Sequence, residues 1–287
     1  MRTVIGSVIF EEAAGYLEDF FVSLEKQTDQ DFTVMLVNDN IRSEYLEQIV
    51  EQIPQKLRQR VVIVDKSGEK LMPCRLRVEL LQSAYERGDE LLIMMDCDDK
   101  ASENRISCVR EQFDAQYTFF YNELLDFDGK RVMQHLPAHT LDYRDIGEKN
   151  YLGLSNGAIY LKSLSKEFIQ SLKAGETKVF DWYLYSRLLL DGKKGKRVDG
   201  CYTYYRIYEE NLAGKCVYSK AAIDKELAVK RQHYGLLAQY NQYYEDLLEK
   251  YTEITAEDVK ARETGGYWWS LIDSLNDTEK KERGSGI

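Results

Sequence analysis

Leu91-Leu92-Ile93-Met94-Met95-Asp96-Cys97-Asp98-Asp99 joins a continuous apolar run to three closely spaced carboxylates. The apolar part is short enough to be a buried strand. Carboxylates at the end of such a strand cannot all be buried unpaired, because an isolated charge in a low-dielectric interior costs several kcal/mol or more. The cluster must therefore face a cleft, a cation or both. In open α/β sheets, ligands bind beyond the carboxyl ends of the strands, where this cluster falls. Hard oxygen ligands suit Mg²⁺ or Mn²⁺, ions that usually accompany a phosphorylated substrate. The segment thus predicts a site for a metal and a diphosphate.

Working outward, the flanking sequence alternates strand and helix signals. Thr3–Phe10 reads as a strand, and Tyr16, Leu17, Phe20, Phe21 and Leu24 then share one helical face. Phe32–Val37 is a second strand ending at Asn38-Asp39-Asn40, Val61–Val64 a third, and Cys74–Arg87 a helix closed by Gly88. After the acidic cluster, Ser102 is a plausible cap for a helix to about Phe113. Strand, crossover helix and strand in repetition predict a parallel sheet with helices on its faces.

The pattern then changes. Tyr117–Glu123 and Lys130–His135 flank Asp126-Phe127-Asp128-Gly129, a hairpin signal. Gly157–Lys162 and Val198–Tyr208 read as strands, Glu167–Leu172 and Asp181–Leu190 as helices. From about Asn211 the signal is helical, with Ile223, Leu227, Tyr234, Leu237, Tyr240, Tyr244, Leu248 and Tyr251 forming an approximate stripe. The predicted division is an α/β domain over 1–210, to which the resemblance described below assigns nucleotide-sugar binding and catalysis, and a helical extension over 211–287. The polar end, 280–287, reads as frayed.

A formal charge of −10 argues against a nucleic-acid partner, which needs a basic footprint. It leaves room for an anionic small substrate, since a bound divalent cation inverts the local field. No run approaches the ~18 apolar residues of a membrane span, and no leader layout is present. The five cysteines, Cys74, Cys97, Cys108, Cys201 and Cys216, lack zinc spacing and read as free thiols in a reducing cytoplasm.

Four segments in this order resemble glycosyltransferase family two, built on the GT-A fold. Ser7-Val8-Ile9-Phe10 with Ser23-Leu24-Glu25-Lys26-Gln27-Thr28 is similar to that family's opening strand, helix and turn. Leu36-Val37-Asn38-Asp39-Asn40 resembles its second strand end, and Gly88-Asp89-Glu90-Leu91 through Asp99 its acidic strand end. Phe180-Asp181-Trp182-Tyr183-Leu184 with Arg187-Leu188 and Gly192, followed by Tyr204-Tyr205-Arg206 and Asn211, resembles its acceptor-side helix and the strand after it. The resemblance covers roughly residues 3 to 212. It implies an α/β GT-A fold, Rossmann-like, with a mixed, mostly parallel sheet and helices on both faces, plus the C-terminal helical extension. It also implies sugar transfer from a nucleotide-diphosphate donor, with a UDP-sugar first among donors and a glycan, glycolipid or related acceptor.

The same resemblance distributes roles. Asp98 is the first metal ligand, with Asp96 on the ribose or metal and Asp99 assisting, and the ion is Mn²⁺ or Mg²⁺. Capping of the helix near Ser102 is the competing use of these carboxylates. Asp39 accepts from a base or ribose hydroxyl, against an Asx turn closing its strand. Phe10 and Glu12 stand where the family's base-binding wall begins, although Phe10-Glu11-Glu12-Ala13 departs from the usual polar residues there. Arg75 and Arg77, with Lys66, are candidates for the donor phosphates, against plain surface charge. Asp181 is the general base of an inverting transfer, against a helix-start aspartate favoured by the helix dipole. Trp182, Trp268 and Trp269 are candidates for stacking on sugar rings, against core packing. His135, His139 and His233 show no ligand spacing.

Three other readings compete. A sugar-1-phosphate nucleotidylyltransferase needs a glycine-rich segment that Gly6-Ser7-Val8-Ile9-Phe10 does not provide. A haloacid-dehalogenase phosphatase places its acidic motif after an early strand, with a different continuation from Asp99-Lys100. The non-enzyme alternative is a degenerate GT-A fold binding carbohydrate or a partner. The tyrosine-rich C-terminal helices could pack on the first domain, cover the acceptor cleft, form a homodimer interface or rest on a membrane surface, although their balanced charge argues against strong binding to anionic lipid.

Overall fold

Four parallel strands carry the first half of the chain: β1 (Thr3–Ile9), β2 (Thr33–Asn38), β3 (Val61–Asp65) and β4 (Leu91–Met94), in the order β3-β2-β1-β4. The computed structural model describes residues 1–207, 219–259 and 264–272. Alternate side chains of a strand point to opposite faces, and two apolar cores divide these strands accordingly. Val4, Met35, Val37, Leu92 and Met94 face one core, and Ile5, Val34, Leu36, Leu91 and Ile93 the other. That is why β4 is apolar at every position and buried throughout.

Crossover helices fill both sides. α1 (Leu17–Glu25), α2 (Ser43–Gln52) and α3 (Gln55–Arg58) put Phe20, Phe21, Leu24, Ile49 and Leu57 into the second core. α4 (Pro73–Glu86) puts Leu76, Leu80 and Leu81 into the first. The sequence pattern does not announce α2, because only Ile49 of it is fully buried and its polar residues mask the period.

Beyond β4 the pairing becomes mixed. β5 (Lys100–Ala101), β6 (Phe119–Leu125), β7 (His139–Thr140), β8 (Gly157–Tyr160) and β9 (Gly195–Tyr204) complete a nine-stranded sheet. β8 is antiparallel to both β4 and β6, whereas β9 runs parallel to β6. The hairpin expected around Asp126–Gly129 shrinks to one bridge between Leu125 and Arg131. Val132 N–H still donates to Leu124 O at 3.0 Å, but beyond it the return arm bonds elsewhere: Gln134 N–H donates to Gly265 O at 2.9 Å, and Tyr267 Oη donates to His135 O at 2.7 Å. Ser102 does not cap the following helix. Its hydroxyl meets Asn104 and Tyr202, and α5 (Arg105–Glu111) starts after Asn104.

α6 (Lys166–Ser171) and α7 (Phe180–Leu190) follow, then α8 (Lys220–Leu237) and α9 (Gln242–Glu253). The last two extend the apolar core that includes α7 rather than building a separate one: Leu227, Tyr234, Tyr244 and Tyr251 cluster with Trp182 and Tyr185. Trp182 stacks on His233 at 3.9 Å between ring centroids. Among the described residues no helix is long and apolar enough to cross a membrane. Asn211, Cys216, the 210/211 boundary and the tail 280–287 lie outside the described residues.

A buried ion pair ties α8 to residues 264–272. Glu226 accepts from the backbone N–H groups of Leu271 and Ile272 at 3.0 and 2.9 Å. Lys230, fully buried, lies 3.4 Å from Glu226 and donates to the carbonyls of Glu148 and Ile272. Removing one member of such a pair strands the other charge in the interior. Glu226→Ala is therefore expected to lower stability by about 3–5 kcal/mol, read as a fall in the urea unfolding midpoint, with Glu226→Gln less damaging because it keeps an acceptor oxygen.

Candidate active site

β4 delivers Asp96-Cys97-Asp98-Asp99 to the carboxyl edge of the parallel strands. Asp96 N–H donates to Ser155 Oγ at 2.9 Å, and that hydroxyl donates to Asp96 Oδ2 at 3.3 Å. Arg77 of α4 stands 3.4 Å from Asp96 Oδ1. Asp98 is half-buried, whereas Asp99 turns inward and is almost wholly buried. One Asp99 oxygen accepts from the Arg206 backbone N–H at 2.8 Å, and the other, Oδ2, has no hydrogen-bond partner among the described residues. Burial, with the charges of Asp98 and Asp96, pushes the Asp99 carboxyl well above its usual range.

Arg206 locks this loop. Its Nε donates to the Asp98 carbonyl at 2.9 Å and its Nη2 to Asp19 at 2.7 Å. Its guanidinium also lies over the Tyr16 and Phe127 rings, at 4.5 and 4.2 Å. Beneath the cluster a second guanidinium, Arg105, is buried and donates to Asn122 Oδ1, Met94 O and Gly157 O. Asn122 donates to Thr203 Oγ1, and Thr203 to the Ser155 carbonyl. A continuous polar network thus runs from α5 to the serine that holds Asp96.

Asp181 occupies the first turn of α7. Asn150 Nδ2 donates to its Oδ2 at 3.3 Å. Loss of solvent pushes its carboxyl up to about 6, and the charge of Asp96 pushes the same way; the Trp182 N–H and the Arg77 charge hold it from rising further. A carboxylate at that value can take a proton near neutral pH.

A cleft of about 680 Å³ joins these groups. Phe10, Arg77, Asp96, Asp98 and Asp181 line it, together with Lys178, Trp268 and Trp269. Asp39, Glu12, Arg75, Lys66 and Asp99 are not in its lining. Asp39 is half-buried at the end of β2, where it accepts from Asn40 Nδ2 at 2.9 Å and its N–H donates to Ile9 O. Glu12 is exposed and Arg75 half-buried. Lys66 sits between Glu69 and Glu79, at 3.3 and 3.1 Å. Trp182 faces the core, donating from Nε1 to Ile146 O at 2.7 Å.

Among the described residues no three His, Cys, Asp or Glu side chains are placed to hold an ion unaided. Asp96 and Asp98 bring two carboxylates to one cleft, and this fits an Mg²⁺- or Mn²⁺-like ion whose other ligands are water and phosphate oxygens. Sequence reasoning missed Ser155 and Asn150, and it gave Arg105 no role. Ser155-Asn156-Gly157, a polar turn leading into β8, is the signal that could have drawn attention to the first.

A family model described as Glycosyl transferase family 2 matches residues 5–170. No curated protein sequence matches the chain significantly. Among solved structures, S. aureus TarS 1-349 in complex with UDP-GlcNAc is similar at TM-score 0.57 and 14% identity, over 88% of this chain and 72% of that one. The mannosyltransferase PcManGT from Pyrobaculum calidifontis, in complex with GDP-Man and Mn²⁺, is similar at TM-score 0.53 and 11% identity, over 90% and 69%. GalNAc-T7 with UDP, GalNAc and Mn²⁺ is similar at TM-score 0.51 and 12% identity, over 90% and 57%. At these identities the likeness is one of fold.

The environment of Asp181 makes a measurable claim. A ¹³C-NMR titration of the aspartate carboxyls is expected to show Asp181 with a midpoint near 6. Asn150→Ala, which removes a donor to the ionised form, is expected to move that midpoint upward.

Proposed function

The chain belongs to glycosyl transferase family 2, whose model spans more than half its length, and from that premise we propose a metal-dependent, inverting transfer of a sugar from a nucleotide-diphosphate donor to a glycan or glycolipid acceptor. The observation that carries the reading is the shared cleft, in which Asp96 and Asp98 at a strand end stand with Asp181 on a helix start, and Arg77 pairs with Asp96 beside them. Carboxylates that could hold an ion and a carboxyl poised to take a proton are the two halves that such a reaction needs.

In this reading the nucleotide lies over the carboxyl ends of β1 and β2. Phe10 offers a ring at the cleft edge, and Asp39, whose N–H bonds to Ile9 O next door, accepts from the base or ribose. Arg77 and Lys178 face the diphosphate. Glu12 and Arg75, outside the lining, would act on the donor only from the rim. Asp98 with Asp96 would hold Mn²⁺ or Mg²⁺, which when bound offsets the negative charge on the departing diphosphate. Asp99 assists from behind, fixing the Arg206 backbone and with it the loop that presents Asp98.

Asp181 then accepts the acceptor hydroxyl proton. The acceptor oxygen forms its bond to the anomeric carbon as the bond from that carbon to the diphosphate oxygen breaks, and the electron pair leaves with the nucleoside diphosphate. Approach from the face opposite the leaving group inverts the anomeric centre. The bound nucleotides of TarS and GalNAc-T7, UDP-GlcNAc and UDP, support UDP-sugars as the first donors to test.

Thermal-shift measurements with UDP, GDP, CDP and dTDP, each with and without Mn²⁺, test the donor half. Stabilisation by one nucleotide only with metal is expected, and Asp98→Ala should abolish it; wild-type affinity in that variant removes the metal assignment. Asp181→Asn should keep nucleotide binding yet slow transfer by ~10²-fold or more, the range for a lost general base. The wild-type rate should rise with pH through about 6, as the carboxyl ionises, and then level off. An unchanged turnover in Asp181→Asn would place the base elsewhere.

A further inference from the structure

Tyr205, the residue after β9, lines the cleft together with Asp96, Asp98 and Asp181. Its backbone is fixed on both sides. Its N–H donates to Leu125 O at 2.7 Å. The next residue, Arg206, donates from its own N–H to Asp99 and from its side chain to the Asp98 carbonyl and to Asp19. The Tyr205 ring packs against the core, with its centroid 6.0 Å from that of Trp268, and the residue is half-buried. The phenol is thus held by its ring at the edge of the cleft.

The charges around the hydroxyl say where it stands. Burial pushes the phenol well above its usual range, and the charges of Asp99, Asp96, Asp98 and Asp181 push the same way, in that order of strength. A phenol titrates near 10 even when unperturbed, so this one keeps its proton at any working pH and has a hydrogen to donate. Three of the four carboxylates belong to the end of β4 and the fourth to the start of α7. A group that meets both sets stands between them, nearer to β4. Among the described residues the hydroxyl nevertheless forms no hydrogen bond, and unlike Asp99 Oδ2 it is not a sealed atom. A donor left open beside four negative charges is placed for an oxygen that arrives with a ligand.

In the glycosyl-transfer reading the diphosphate occupies the β4 side of the cleft and the acceptor hydroxyl the Asp181 side. The bond that breaks lies between the two, with its diphosphate oxygen toward β4, the side on which Tyr205 stands. We propose that the Tyr205 hydroxyl is a catalytic group that donates a hydrogen bond to the oxygen joining the anomeric carbon to the β-phosphorus. As that carbon–oxygen bond breaks, its electron pair passes to the oxygen, and the hydrogen bond strengthens with the growing charge. Tyr205 keeps its proton throughout, and the acceptor proton goes to Asp181. Stabilisation that grows toward the transition state raises the rate more than it tightens donor binding. The inference rests on the glycosyl-transfer reading and adds to it the group that receives the leaving oxygen.

The test compares the full chain with Tyr205→Phe, which keeps the ring and removes only the hydroxyl. UDP carries the former bridging oxygen as a charged terminal one, whereas UMP has no β-phosphate. In calorimetric titrations with Mn²⁺, Tyr205→Phe is expected to weaken UDP by about tenfold or more, the scale of a hydrogen bond to a charged group, and to leave UMP unchanged. GDP and GMP replace the pair if the wild type does not bind uridine nucleotides. Where the wild type releases UDP from UDP-GlcNAc with water as acceptor, the variant should lower kcat by ~10²-fold, the range for a lost oxyanion donor, with little change in KM. The rise of that rate through about pH 6 should stay in place, because Asp181 sets it. 3-Fluorotyrosine at position 205 gives a second reading in a chain that keeps the hydroxyl: its ¹⁹F resonance should move with UDP and much less with UMP. Unchanged UDP affinity in Tyr205→Phe, equal losses of UDP and UMP, or a fluorine resonance that answers UMP as strongly as UDP overturns the proposal. If Tyr205→Phe does not fold, the fluorine reading decides alone. A wild type that binds neither UDP nor GDP strikes the donor reading, and this proposal with it.

Discussion

The site depends on one buried guanidinium. Arg105 lies where the parallel strands give way to antiparallel ones, and it bonds to the last residue of β4, the first of β8 and the middle of β6. Burial lowers it only to about 10, so it carries its charge at neutral pH beneath the acidic cluster. Its partners continue the chain of bonds through Asn122 and Thr203 to Ser155, and Ser155 holds both the backbone and the side chain of Asp96. A buried polar network of this kind is rigid when every member is satisfied and costly when one is missing. The carboxylates at the strand end are therefore positioned by a buried network that reaches the cleft only at Ser155.

The same low dielectric gives two nearby carboxyls different uses. Desolvation is the main cause of the raised values of both Asp99 and Asp181. Asp99 is sealed behind Arg206, whose backbone meets one of its oxygens and whose side chain grips the Asp98 carbonyl. It is suited to shaping the loop. Asp181 borders the cleft, has Asn150 as a donor to its ionised form and sits at a helix start, so its proton can be exchanged with a ligand. Access to the cleft is what distinguishes the two carboxyls: Asp181 lines it and Asp99 does not.

Much of the fold was legible because the parallel strands obey simple rules. A strand covered on both faces must be apolar at every position, and β4 is; the crossover helices show their buried faces at helical spacing. The acidic end of β4 stood out because charge next to buried apolar sequence needs a reason, whereas the aspartate that opens α7 was singled out only by the family resemblance. Asn150, Ser155 and Arg105 were not legible, because each acts through a partner far away in sequence, such as Asp181, Asp96 and Asn122. Arg75 and Arg77 could not be told apart by sequence. They differ only in which side of α4 they leave from, and only Arg77 reaches the cleft. The hairpin at Asp126–Gly129 is short for a related reason: its turn and first bonds, Asp126 N–H to Lys130 O and Val132 N–H to Leu124 O, are present, but from Gln134 on the return arm bonds to Gly265 and Tyr267 instead.

The C-terminal helices now have a mechanical meaning. α7 is buried along nearly its whole length, so the direction in which Asp181 points is set by whatever packs beneath that helix. Beneath it lie His233, stacked on Trp182, and the rings of Tyr234, Tyr244 and Tyr251. Large rigid rings fill such a space with little rotational freedom to lose, and packing at this density passes displacement on rather than absorbing it. α8 carries His233 and Tyr234 of this layer just beyond Glu226 and Lys230, the pair that holds Leu271 and Ile272, while Tyr244 and Tyr251 stand on α9. One helix thus packs beneath α7, whose first turn carries Asp181, and also holds residues 271 and 272. A change in the packing of α8 would alter their spacing while leaving the acidic end of β4, fixed from the other side by Arg105, in place.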